Sequence, residues 1–142
     1  MNPMLDKWII VFTNGLKIRW WHRFFKKDFR HCFAFGYDPI NSVWIYCDFA
    51  NYRLTVFPIT TDQATNIIVY IKQFARHLVV TVDRETKYFP LAPFYCVPMC
   101  RQLIGLKTIS WTPYGLYCAL KKTGVSSYFG NVTEEKDYVS NR

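Results

Sequence analysis

Three side chains in this 142-residue chain have the types and surroundings for nucleophilic catalysis: Cys96, His31 and Asp48. Cys96 precedes Val97, Cys100 and Ile104, which fall at helical spacing, with Pro98 where a first turn tolerates a missing N–H and Gly105 as a stop. The spacing predicts a short helix that Cys96 opens. A thiol at that position feels the unpaired N–H groups and the positive end of the helix dipole, and both favour the thiolate that attacks carbonyls. The competing reading of the same stretch is a buried structural thiol, and a histidine partner decides between the two.

The histidine comes from an expected hairpin. Residues 29–37 and 43–49 are aromatic, β-prone runs, and Asp38-Pro39-Ile40-Asn41-Ser42 between them supplies turn residues. A turn centred between Pro39 and Ile40 sets His31 opposite Asp48, Phe33 opposite Tyr46 and Phe35 opposite Trp44 on one face. Cys32 against Cys47 and Ala34 against Ile45 occupy the other. A carboxylate beside an imidazole fixes its tautomer, orients the ring and stabilises the imidazolium, so His31 has the setting of a positioned base. A half-buried histidine satisfied by a carboxylate for structural reasons has the same pattern, and Asp38 competes with Asp48 as the orienting group.

The remaining elements must hold these groups in place. Lys7–Thr13 reads as a first strand ended by Asn14-Gly15. Residues 16–27 carry Ile18, Trp21 and Phe25 at helical spacing opposite a basic face. Residues 52–58 form another expected strand, and Asp62 is a candidate cap for a helix over 63–75 with Ala64, Ile67, Ile68, Ile71, Phe74 and Ala75 on its apolar face. Residues 77–82 alternate as a strand, which leaves His77 at its start in a surface or turn role. Residues 106–111 are short and β-prone. Thr112-Pro113 then starts a last helix with Leu116, Tyr117 and Leu120 inward and Gly124 as its end, and 131–142 is a polar arm.

Composition bounds the classes. At 51% hydrophobic and 19% aromatic the chain has material for one packed core and is unlike a disordered segment. Lys plus Arg number 18 against 10 Asp plus Glu, a net +8 with pI near 9.3, which permits anionic partners. The basic stretch 16–30 is the segment that would bind nucleic acid or an anionic surface. The five cysteines form no Cys-x-x-Cys pair, which argues against a zinc ribbon or a paired secreted framework and for free thiols in a reducing compartment. No signal peptide or membrane-spanning run is expected, so the expected location is the cytoplasm or a particle.

The order of an early-strand His, a polar residue on the next strand and a Cys opening a late helix resembles the circularly permuted branch of the NlpC/P60 papain-like cysteine hydrolases. The runs Trp20-Trp21-His22-Arg23-Phe24, Phe29-Arg30-His31-Cys32, Cys96-Val97 before Leu103-Ile104-Gly105, and Thr112-Pro113-Tyr114-Gly115-Leu116-Tyr117 resemble an uncharacterised group of small bacterial and phage proteins. The resemblance spans roughly residues 8–122. It implies an α+β, papain-like domain over 1–125 with an antiparallel sheet packed against the Cys-bearing helix, and a polar arm over 126–142. By position, Cys96 is then the nucleophile, His31 the base and Asp48 the orienting residue. The implied function is a peptidase or amidase, with cell-wall peptide as the substrate class and no metal or organic cofactor required. The rival expectation is a non-catalytic structural component that keeps the fold, such as a virion or tail protein with other phage proteins as partners.

Overall fold

The computed structural model describes residues 7–14, 23–82, 95–106 and 110–123. Their elements run β1 (Lys7–Thr13), β2 (His31–Asp38), β3 (Val43–Ala50), β4 (Arg53–Ile59), α1 (Thr61–Phe74), β5 (Arg76–Thr81), α2 (Cys96–Ile104) and α3 (Pro113–Lys122). The fold is α+β. Its five strands pair antiparallel in the order β4-β3-β2-β1-β5.

That order explains the helices. β4 and β5 lie at opposite edges, so α1, which joins them, must cross one whole face of the sheet. It buries Ile71 and Ala75 against Ile9, Val11, Phe33 and Phe35. The opposite face is covered by α2 and α3, whose Val97, Met99, Cys100, Ile104, Leu116 and Leu120 pack on Trp8, Ile10, Phe12, Cys32, Ala34, Cys47 and Leu78. With both faces covered, the unbroken apolar run Trp8-Ile9-Ile10-Val11-Phe12 of β1 is buried throughout. Full burial of each such side chain stabilises by about 1.5–3 kcal/mol before entropy is charged against it.

α2 and α3 begin and end as their sequences dictate. Gly105 adopts φ 69° at the end of α2, where a side chain would be strained, and Thr112 caps α3 by accepting from the Gly115 N–H at 3.1 Å. α1 is capped two residues earlier in the chain than Asp62, by Thr60. The Thr60 hydroxyl accepts from the Gln63 N–H at 3.2 Å and the Gln63 side chain accepts from the Thr60 N–H at 2.9 Å, a reciprocal capping box that satisfies two end groups at once.

Other expectations are corrected. The β2–β3 pairing is displaced by two residues, with Phe35 opposite Tyr46, Tyr37 opposite Trp44 and Ala34 opposite Cys47. The cause is a loop of four residues between Asp38 and Val43, in which the Asp38 carboxylate accepts from the Ile40 and Asn41 N–H groups at 3.0 and 3.3 Å. An even displacement keeps each side chain on its expected face. Phe74 is 70% exposed beside Tyr70, because the buried stripe of α1 runs through Ala64, Ile71 and Ala75 and passes it by. His77 is buried, since β5 pairs it with Val11 beneath α1. Of the expected helix over 16–27, residues 15–22 lie outside the described residues, and 23–30 form a short 3₁₀ segment and turns. Residues 107–109 of the expected strand over 106–111 and the whole arm over 126–142 also lie outside them, as does Gly124, and 106, 110 and 111 are not in a strand; α3 ends at Lys122 with Thr123 as its cap.

Asn51 and Tyr52 join β3 to β4 with φ 53° and 60°, a two-residue left-handed turn in which the bulky Tyr52 is strained and 82% exposed. Replacing Tyr52→Gly is expected to raise stability by about 0.5–1 kcal/mol, read as a higher urea midpoint at unchanged m.

Candidate active site

His31 opens β2 where it pairs with Thr13, the last residue of β1, and Asp48 lies near the end of β3. β2–β3 pairing stops at Ala34 and Cys47, so residues 31–33 at the start of β2 and 48–50 at the end of β3 are not paired with each other. At that opening the His31 Nε2 and the Asp48 Oδ1 are 2.7 Å apart, and the Tyr46 hydroxyl donates to the Asp48 Oδ2 at 3.1 Å. Both carboxylate oxygens are thus engaged. The side chains of His31 and Asp48 are each 19% exposed, enough shelter to strengthen the pair and enough access to leave it reachable.

The two-residue displacement places His31 diagonally from Asp48, and same-face diagonal neighbours remain within reach of a long side chain. Asp38 sits at the other end of β2, held in its turn, where the Asn41 amide donates to its Oδ2 at 2.6 Å and keeps its carboxyl below the usual range. Asp48 is therefore the carboxylate in contact with His31.

Cys96 is the first residue of α2 and is partly exposed. Its sulfur meets the Cys32 thiol, the Cys32 N–H and the His31 ring. The Cys32 thiol lowers its pKa most; burial opposes this, and the hydrogen bond and charge of His31 lower it further, so Cys96 is held well below the ordinary thiol range. Burial pulls the His31 pKa down, but hydrogen bonds and charge from Asp48 and Cys96 outweigh it and raise the ring to about 10. Both shifts favour an imidazolium facing a thiolate over a neutral pair. Tyr95 ahead of α2 supplies no side-chain cap, and its hydroxyl donates to the Trp111 carbonyl at 2.6 Å, tying the start of α2 to the segment before α3.

Cys32 and Tyr46 were not singled out by sequence reasoning as parts of this site. Strand alternation carries the signal for both. Cys32 follows His31 and so faces the side on which the Cys96 helix packs, and Tyr46 precedes Asp48 by two residues and shares its face. Behind Cys96 the thiols continue inward: the Cys100 Sγ and Cys32 Sγ are 3.8 Å apart, burial pushes Cys32 far up, and Cys47 is pushed up to about 11. Among the described residues no group of three or more His, Cys, Asp or Glu side chains is arranged to hold a metal ion, and no helix is long and apolar enough to cross a membrane.

Two outcomes follow from this electrostatic arrangement. Replacing Cys32→Ala removes the leading stabiliser of the Cys96 thiolate, so the pH midpoint for alkylation of Cys96 by iodoacetamide is expected to rise. The His31 pKa is raised from 6.5 to about 10, so the stability its protonated ring contributes is fully present just below about pH 6.5 and is lost as pH rises through about 10; Asp48→Asn should lower the ring titration seen by NMR.

No family model, curated protein or solved structure matches this chain.

Proposed function

We propose that the chain is a cysteine hydrolase of the peptidase or amidase type, built on a papain-like plan of the permuted NlpC/P60 kind. One observation carries this reading: His31 lies 2.7 Å from Asp48 and interacts electrostatically with Cys96, the first residue of a helix. Cys96 acts as nucleophile, His31 as acid and base, and Asp48 as the orienting group, with Tyr46 positioning Asp48.

The chemistry runs on the charged pair. The Cys96 thiolate attacks an acyl carbonyl, forming a C–S bond, and the oxygen becomes an oxyanion beside the first-turn N–H groups of Cys96 and Val97. Collapse expels an amine or alcohol, which takes its proton from the His31 imidazolium. With Nε2 engaged by Asp48, Nδ1 is the nitrogen left for that transfer. His31 then removes a proton from water, which attacks the thioester and releases the acid with the thiolate restored. Cell-wall peptide is the substrate class this plan suggests.

A second reading rests on β4, the edge strand opposite β5. Leu54 and Val56 on one face of it and Phe57 on the other are 47%, 56% and 42% exposed, an apolar edge suited to assembly in a structural or virion component. Hydrolysis of ester and amide acyl substrates, with acyl adducts mapped by mass spectrometry, separates the two. The hydrolase reading expects an adduct on Cys96, loss of activity in Cys96→Ala, a drop of about 10²–10⁴-fold in His31→Ala and a much smaller drop in Tyr46→Phe. A folded protein with an inert Cys96 and a sedimentation value above that of a monomer would instead support assembly.

A further inference from the structure

The Cys96 sulfur does not stand alone. Cys96 packs against the core cluster that holds both Cys32 and Cys100 and interacts with the Cys32 thiol, and the Cys32 Sγ lies 3.8 Å from the Cys100 Sγ one helical turn behind Cys96. Three thiols in sequence, one partly exposed and two buried, are more than a nucleophile at the start of a helix requires. Acyl transfer uses only the first.

We propose that Cys96 and Cys32 form a peroxide-reactive pair, in which Cys96 reduces a hydroperoxide and Cys32 captures the oxidised sulfur as a disulfide. The inference rests on Cys96 being the reactive thiolate of the hydrolase reading. Access sets the order of events, because Cys96 is partly exposed while Cys32 is wholly buried.

The steps balance with hydrogen peroxide as the oxidant. The Cys96 thiolate attacks one peroxide oxygen, an S–O bond forms, the O–O bond breaks, and the departing hydroxide takes the His31 proton to leave as water. The Cys96 sulfur is oxidised by two electrons to a sulfenic acid and the peroxide is reduced. Cys32 then gives its proton to His31, and its sulfur attacks that of Cys96. The S–S bond forms, the S–O bond breaks, and the leaving hydroxide recovers the proton as a second water. In sum, two thiols and one peroxide become one disulfide and two waters. The product occupies the nucleophile, so acyl transfer stops until a dithiol reduces it.

The test is peptide mapping of the full-length protein after brief treatment with hydrogen peroxide, under non-reducing conditions, alongside the iodoacetamide rate of Cys96 before treatment. The expected result is a linked peptide pair joining Cys32 to Cys96, its disappearance on adding dithiothreitol, and recovery of Cys96 alkylation. Cys100→Ser should retain the link. Cys32→Ser should abolish it and leave about tenfold more Cys96 as sulfenic or sulfinic acid. Wild-type mapping decides the matter even where a variant fails to fold. Rapid alkylation of Cys96 with no link to Cys32, or a link joining Cys32 only to Cys100, overturns the pair and leaves the hydrolase reading standing. A Cys96 slow toward both iodoacetamide and peroxide overturns both.

Discussion

The site depends on one break in a ladder. β2 and β3 could have gone on exchanging backbone hydrogen bonds to the ends of both strands, but their pairing stops at Ala34 and Cys47. The N–H of Cys32 then needs another acceptor, since a buried donor left without one costs about 1–3 kcal/mol. The sulfur of Cys96 serves as that acceptor, and an anionic sulfur serves better than a neutral one. Backbone satisfaction and thiolate formation are the same event here.

The same opening reconciles two faces of the sheet. Phe33 and Tyr46 pack toward α1, whereas Cys32 and Cys96 belong to the layer formed with α2 and α3. Along a fully paired sheet, residues of the two layers are separated by the backbone itself. At the unpaired ends His31 contacts Asp48 and also Cys96, so carboxylate, imidazole and thiol join across the layer boundary.

Much of the α+β fold was readable because local signals and tertiary demands agree. Pro98 and Gly105 bracket α2, Thr112-Pro113 starts α3, and the apolar run of β1 needs cover on both sides. Misreadings arose where a long-range or side-chain interaction chose between near-equal local options. Asp62 and Thr60 are both good caps, and only Thr60 has Gln63 at the spacing for a reciprocal box. The hairpin turn has several centres by composition, and the Asp38 carboxylate selects one by binding two backbone N–H groups. His77 reads as peripheral in a one-dimensional pattern and is interior because α1 crosses over β5. At the site, the hairpin arithmetic set His31 and Asp48 on one face, and parity survived the displaced register. The contribution of Cys32 was invisible, because it follows from where a ladder ends, which no residue type announces.

The two short connections of the β2–β3–β4 meander make its pairings local, whereas Cys32 and Cys100 meet across 68 residues of chain. Local pairings close cheaply and early, while a distant contact must first overcome the entropy of the loop it closes. During synthesis the sheet segment from β1 to β4 leaves the ribosome well before α2 does. Until α2 docks, Cys96 lacks the Cys32 N–H, the Cys32 thiol and the His31 ring, and its thiol is an ordinary one. The lowered thiol pKa of Cys96 is therefore a late product of folding, which a nascent or partly folded chain lacks.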